Sequence, residues 1–396
     1  MKIPSTIALV LVLHSVSAAD WPNWRGPNHD GISAETGWKA EWPADGPPQL
    51  WKTSVGTGFA SFAVRGGRVF TMGNASDADS VYCLDADTGK VIWKYSYPCA
   101  LNPMMYEGGP SATPAVEGNH VYTLSKLGDL FCLTADAGQV VWQKHLAADA
   151  KAEAPNWGFA GSPLVAGDLL ILDVGGQGMA VKKDSGEIAW NSGGSGSGYS
   201  SPVPSSVNGV AAAIIVLADE VAALDVKTGK KLWGQSWKTE YDINAADAVV
   251  AGPQVFVSSG YGHGAAVLHL SDGAVVWQNK KMRNHINSSV ALDGYVYGMD
   301  GNAGSTTLTC LELATGNVKW TRPGLGGSLM IADKKIIALS EKGELVIGEA
   351  SPTAFQPLTQ AQILGGKCWT TPILANGRIF ARNARGDVVC LDVRKK

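Results

Sequence analysis

Six cysteines, seven histidines and one glycine–serine run are the places where this chain of 396 residues could do covalent, metal or phosphate chemistry. Cys83, Cys132, Cys310 and Cys390 each precede a Leu in the same short pattern, so they share one repeated environment. Their spacing matches no zinc motif, and equivalent positions of separate repeats do not come within disulfide reach. They are therefore expected to pack as small apolar residues. Cys99 and Cys368 lie outside that pattern, and in an oxidising compartment they either pair or remain free thiols. The histidines show no metal-ligand spacing and no Ser/His/Asp arrangement; His263 sits between Gly262 and Gly264, as a turn residue does. The run from Gly193 to Gly198 lacks the Lys and the following helix of a phosphate loop and reads as a flexible connection. Neither a catalytic residue nor a metal ligand is assigned.

A second group of residues is suited to non-covalent binding. Phe59, Trp157, Phe159, Tyr199, Tyr241 and Trp369 are aromatic, Glu107 and Asp242 acidic, Asn244 and Asn287 amides, and His285 and Lys367 add donors. They can act together only if the fold gathers them, and a repeat supplies the means. An apolar pair, a polar stretch, a Gly and a Trp four positions later recur with Gly89 and Trp93, Gly138 and Trp142, Gly186 and Trp190, Gly229 and Trp233, Gly273 and Trp277, and Gly316 and Trp320. Each copy reads as a β-hairpin, in which Asp or Thr side chains bond their own backbone and Gly takes the positive φ of a tight turn. One hairpin cannot bury so large a ring, so each Trp is expected to pack against the next unit.

Two further strand-like runs precede each hairpin, as in Thr113 to Val116 followed by Asn119 to Leu124, which makes four strands per repeat. Two irregular copies complete the count. Around Glu344 to Leu358 the motif has degenerated, with Phe355 expected in place of Trp. Cys390-Leu391-Asp392 ends without a Trp, and its partner is expected at the other end of the chain in Gln49 to Lys52. The fold class is all-β: an eight-bladed β-propeller over residues 49–396, its four-stranded last blade closed by strands from both termini. Propeller geometry brings the connections before the innermost strands around the mouth of the central channel. Those connections carry the second group of residues. Such a ring stacks a ring-shaped ligand, grips a peptide, or is filled by packing and ordered water.

The remaining segments bound the setting. Residues 1–19, with Lys2, an apolar run from Ile7 to Leu13 and small residues at Ser17 to Ala19, read as an export signal. Asp20 stands where a lipoprotein carries its lipid-bearing Cys, so neither a lipid anchor nor a membrane span is expected. A periplasmic or extracellular monomer follows. Residues 20–48, rich in Trp, Pro and Gly, lack the repeat and are expected to lie against the propeller surface. A formal net charge of −3, with basic residues clustered only at Arg394 to Lys396, argues against a nucleic-acid partner.

The run Leu84 to Trp93 resembles the tryptophan-docking repeat of the PQQ-like propeller superfamily, over residues 49–396. That superfamily includes quinoprotein alcohol dehydrogenases, which hold pyrroloquinoline quinone and calcium at the centre of eight blades, and the BamB family, which uses the propeller without a cofactor. The quinoproteins carry adjacent cysteines over the quinone, and no two cysteines are adjacent here. The expected function is therefore a non-enzymatic, BamB-like binding or assembly-scaffold propeller of the cell envelope, with no cofactor and a protein or small ligand at the channel mouth. The alternative is a quinoprotein-type oxidoreductase using pyrroloquinoline quinone with calcium. A sugar- or polymer-active propeller is a third class.

Overall fold

The structure, a computed structural model, describes residues 19–43, 45–193 and 196–395. The expected export signal falls, up to residue 18, outside the described residues, as do two positions of the glycine–serine run. Among the described residues, seven sheets have four strands and one has five, arranged as eight blades. Blade 1 comprises Ala63–Arg65, Arg68–Ala75, Ala78–Asp85 and Val91–Pro98, ordered from the channel outward. In blade 8, Gln49–Ser54 forms the outer strand against Asp387–Asp392, so both termini close the ring. The expected architecture is the observed one.

A repeated misregister places the tryptophans. In each blade the outermost pair of strands skips one residue, as between Cys83 and Leu84, and this bulge turns the Trp inward. Trp93 then lies opposite Cys83, Trp142 opposite Cys132, Trp320 opposite Cys310 and Trp51 opposite Cys390. That pairing accounts for the four cysteines: a small apolar side chain leaves room for the indole across the strand. Desolvation pushes the thiols of all four up to about 12, so they stay protonated.

Each indole then docks on the next blade. Trp51, Trp93, Trp142, Trp190, Trp233, Trp277 and Trp320 donate their Nε1–H to a backbone carbonyl of the following hairpin turn at 2.8–3.0 Å. The ring covers that turn's Gly so closely that a Cβ at Gly229, where φ is +70°, would meet Trp190 at 2.5 Å. Gly is thus required twice, for its φ and for its missing side chain.

The junction between blades 7 and 8 departs from this pattern and corrects the expectation for Phe355. Thr359 occupies the Trp register, opposite Ile347, while Phe355 packs on Trp320 of blade 6 with centroids 5.8 Å apart. Phe355 therefore takes the place of the Gly and not of the Trp. The docking carbonyl on Val393 is capped instead by the backbone N–H of Lys39 at 2.6 Å, and Trp38 is buried in the same cluster. An arginine latches the closing blade to the first. Arg382, fully buried in blade 8, donates to the carbonyls of Gly56, Ala60 and Met72 and to Thr71 Oγ1, and burial lowers its pKa to about 9.

The segment 20–48 divides in two: residues 38–48 run along blades 7 and 8, where Thr359 Oγ1 donates to the Trp42 carbonyl, whereas residues 21–33 enter the channel. Trp21 pairs with Val64 in the innermost strand of blade 1, the Pro22 carbonyl accepts from Val116 N–H in blade 2, and Arg25 Nη2 donates to Ser289 O at 2.7 Å. Ile32–Ser33 then adds a fifth, parallel strand to the innermost strand of blade 7, Gly327–Ala332. Those strands line the channel, and their edge N–H and C=O groups need partners. The segment supplies them from inside, as a plug, before running out past Glu35 and Lys39 to the closing strand.

Replacing a docking ring should therefore unfold more than its own blade. Trp233→Ala removes a buried indole and its bond to Leu270 O and is expected to cost about 3–5 kcal/mol, measured by urea or thermal melts; a loss under about 1 kcal/mol would show that docking is dispensable.

Candidate functional site

The connections before the innermost strands, with two of the turns beside them, surround a cavity of about 460 Å³ at one end of the channel. Its walls are three aromatic groups. Phe59 stands between Tyr106, at 5.5 Å, and Trp369, at 5.7 Å. Trp157 packs against Tyr199 at 5.9 Å. Tyr261 meets His285 edge-on at 4.7 Å and Tyr241 at 5.0 Å. Trp24 of the plug forms the floor, so the cavity is a cup closed by the chain's own N-terminal segment.

The floor is tied to the wall by one carboxylate. Asp247 Oδ2 accepts from Trp24 Nε1 at 2.6 Å and from Ser288 Oγ at 3.0 Å, and Oδ1 accepts from Ser201 N–H at 2.6 Å. Burial raises the pKa of Asp247, while the Arg25 guanidinium beneath the floor and these donors act against that rise. Arg25 is itself fully buried, and desolvation lowers its pKa. Arg25 thus lies beneath the floor with its guanidinium bonded to the carbonyls of His29, Asp30 and Ser289, while Asp247 stays in the lining with both oxygens engaged by the protein.

Of the residues singled out from sequence, six line the cup: Phe59, Trp157, Tyr199, His285, Asn287 and Trp369. Lys367 and Glu107 form an ion pair at 2.9 Å, with Lys367 Nζ 4.2 Å from the Trp369 ring centroid, so they brace that wall. Tyr241 and Asp242 sit exposed outside the lining, Tyr241 against Tyr261. Two residues are packing groups. Phe159 is buried among Leu146, Leu172 and their neighbours. Asn244 Nδ2 donates to Leu217 O and Ala218 O, and its Oδ1 accepts from Ser259 Oγ. Sequence reading missed Trp24, Asp247, Tyr261 and Asn302. Tyr261 and Asn302 lie on turns outside the connections considered, and Trp24 reaches the cup only because the plug enters the channel. Cys99 and Cys368 are both buried and unpaired.

Residues 32–109 and 100–322 match the family model described as outer membrane protein assembly factor BamB. The chain belongs to this family. The BamB match stops at the end of blade 6, ahead of the junction where Thr359 stands in the tryptophan register. Among solved structures the chain is similar to BamB from Moraxella catarrhalis, with a TM-score of 0.66 and 17% identity over 87% of this chain and 99% of that one. It is also similar to quinohemoprotein alcohol dehydrogenase from Comamonas testosteroni, with a TM-score of 0.73 and 14% identity over 95% and 81% of the two chains. A europium-containing methanol dehydrogenase gives a TM-score of 0.73 and 13% identity over 92% and 89%. At these identities the likeness concerns the fold. No curated protein matches the chain in sequence. No helix among the described residues is long and apolar enough to cross a membrane.

The plug under this BamB-family cup carries its own acid sensitivity. His29 is buried there, and desolvation, with the Arg25 charge second, lowers its pKa from 6.5 to about 4. The folded pKa is thus below the unfolded one. Between the two values the unfolded chain binds a proton that the folded protein refuses, so stability falls as pH drops from about 6.5 to about 4. His29→Asn keeps a residue tolerant of the φ of 55° and is expected to flatten that decline by up to about 3 kcal/mol in pH-dependent melts. The raised carboxyls of Glu35 and Asp247 act in the opposite direction in both proteins. Parallel declines in parent and variant would exclude His29 as the sensitive group.

Proposed function

We propose that this protein is an exported, non-enzymatic binding propeller of the cell envelope and that the aromatic cup is where its ligand or partner seats. The observation that carries the reading is a division of labour among the aromatics. The docking tryptophans are spent on holding blades together, whereas Trp157, Trp369, Tyr261 and Phe59 take no part in docking and face a common space. Aromatic anchors gathered in one cavity with a few polar groups are the usual makeup of binding sites.

The quinoprotein alternative is tested by charge. Pyrroloquinoline quinone carries three carboxylates, yet no Lys or Arg is among the described residues lining the cup, and Lys367, beside Trp369 at the rim, is already paired with Glu107. The only lining carboxylate, Asp247, has both oxygens engaged by the protein, and the described residues hold no cluster of three or more His, Cys, Asp or Glu fit for a metal ion. These features weigh against that cofactor with calcium in the cup, and no oxidation step is assigned.

Two measurements check this reading. Trp157→Ala and Trp369→Ala should leave the melting transition nearly unchanged while weakening retention of whatever co-purifies with the native protein by about 1–3 kcal/mol; full retention, or a stability loss like that of Trp233→Ala, would move the site elsewhere. Titration with pyrroloquinoline quinone and calcium should show no saturable binding and no dye-linked alcohol oxidation. A Kd below about 1 μM, near −8 kcal/mol, would reinstate the oxidoreductase reading, because affinity of that size needs a built pocket.

A further inference from the structure

Three properties of the cup narrow its occupant, given the binding reading above. The first is charge. With no Lys or Arg among the described residues of the wall and its one carboxylate consumed, the cup offers nothing to balance an anionic ligand, and burying an unpaired charge is costly.

The second property is unspent hydrogen-bonding capacity between the rings. His285 Nδ1 accepts from Ala303 N–H, which places the ring proton on Nε2, and burial lowers the pKa of the ring. Among the described residues no protein partner is found for His285 Nε2 or for Trp369 Nε1. Asn302 uses only its Oδ1, accepting from Tyr261 N–H, and Asn287 uses only its Nδ2, donating to Gly327 O. Two donors from ring nitrogens, an amide nitrogen and an amide oxygen therefore remain open to the cavity. A purely apolar occupant would strip water from these groups and return nothing, at about 1–3 kcal/mol for each group left bare.

The third property is the closed floor. Trp24 and the plug beneath it block the channel, so a linear polymer cannot thread through, and only the end of a chain can enter. The volume of about 460 Å³ is that of a pocket for a compact small ligand.

We infer that the cup receives the terminal sugar residues of an uncharged glycan. The rings of Trp157, Trp369 and Phe59, which line the cavity, offer apolar surface to the C–H faces of pyranose rings. The open donors and acceptors between them reach hydroxyl groups, and neutrality excludes uronic acids and sulfated sugars.

The mature protein is to be titrated, by tryptophan fluorescence and calorimetry, with neutral gluco-, galacto-, manno- and N-acetylglucosamine oligosaccharides, and with oligogalacturonate and heparin fragments as acidic controls. One neutral series should saturate a single site, with affinity that levels off as chains lengthen beyond the cup, and a cyclic or end-blocked form of that series should not bind. Trp157→Ala and Trp369→Ala should each weaken it about tenfold or more. His285→Phe, which keeps a ring against Tyr261 but removes the Nε2–H, should also weaken it, with a small drop in melting temperature because Ala303 N–H loses its Nδ1 acceptor. Binding of the acidic fragments alone, binding of cyclic as well as open chains, or no sugar binding across the panel would each overturn the inference. Nile red separates that failure from failure of the binding reading. Uptake of the dye that is lost in Trp157→Ala, with no sugar able to displace it, leaves a working cup of another specificity; uptake unaffected by Trp157→Ala and Trp369→Ala removes the cup as a site.

Discussion

The bond from an indole N–H on one blade to a turn carbonyl on the next is the constraint on which the rest of this structure depends. A four-stranded blade has two apolar faces and cannot cover either alone, and the docking ring fixes how far each blade is rotated from its neighbour. The bulge that turns Trp93 inward, the small Cys83 opposite it and the bare Gly138 beneath it are three sequence requirements of one contact. Because the contact sits at the outer rim of the blades, the connections at the channel mouth carry no docking load. Trp157 and Trp369 occupy such connections, and that freedom lets one architecture serve an assembly factor and dehydrogenases among its structural relatives.

One junction lacks its tryptophan, and its repair shapes the centre of the molecule. With Thr359 in the register, the Val393 carbonyl would face blade 7 without a donor, and an unpaired buried carbonyl costs about 1–3 kcal/mol. Lys39 N–H supplies that donor, with Trp38 filling space beside it. The chain reaches this position because residues 20–35 enter the channel and turn back out at the same end, where Asn376 Nδ2 donates to Asp20 Oδ1 and Glu35 Oε2 accepts from Gly377 N–H at 2.7 Å. The plug and the irregular closure are thus one device, since the same segment pairs the inner edges of blades 1 and 7 and caps the blade 8 carbonyl left without a docking ring.

The hairpins were legible in the sequence because local chemistry specifies them: Gly at positive φ, Asp and Thr bonding their own turn, Trp at a fixed offset. The closure by Gln49–Ser54 followed from an inner hairpin strand, Cys390 to Asp392, that had no Trp-bearing outer partner after it. The plug was not legible because nothing in residues 20–33 is periodic, and their partners lie hundreds of positions away, as in Arg25 to Ser289 and Trp24 to Asp247. Four tryptophans in a stretch without repeats signalled burial but not its location. Half of the mouth residues line the cup, and the others show why position on a connection is a coarse guide. Asn244 is spent on three backbone carbonyls, Phe159 turns into the core, and Asp242 sits at positive φ facing solvent.

The site and the closure of the ring are coupled through one segment. Trp24, the floor of the cup, lies 27 residues before Trp51, whose strand completes blade 8, and the chain between them spans the repaired junction. Any occupant that rests on Trp24 binds only the form in which the plug is seated. By linkage it then stabilises that form by RT ln(1 + [L]/Kd), about 2.7 kcal/mol at a hundredfold excess over Kd. The energy is delivered to the plug and, through it, to the junction that lacks a docking tryptophan. Asp247 in the wall and Arg25 beneath the floor make the coupling specific, because withdrawing the plug would separate them and leave the buried Asp247 carboxylate without Trp24 or its counter-charge. A ligand in the cup therefore reports on whether the ring is closed as much as on its own presence.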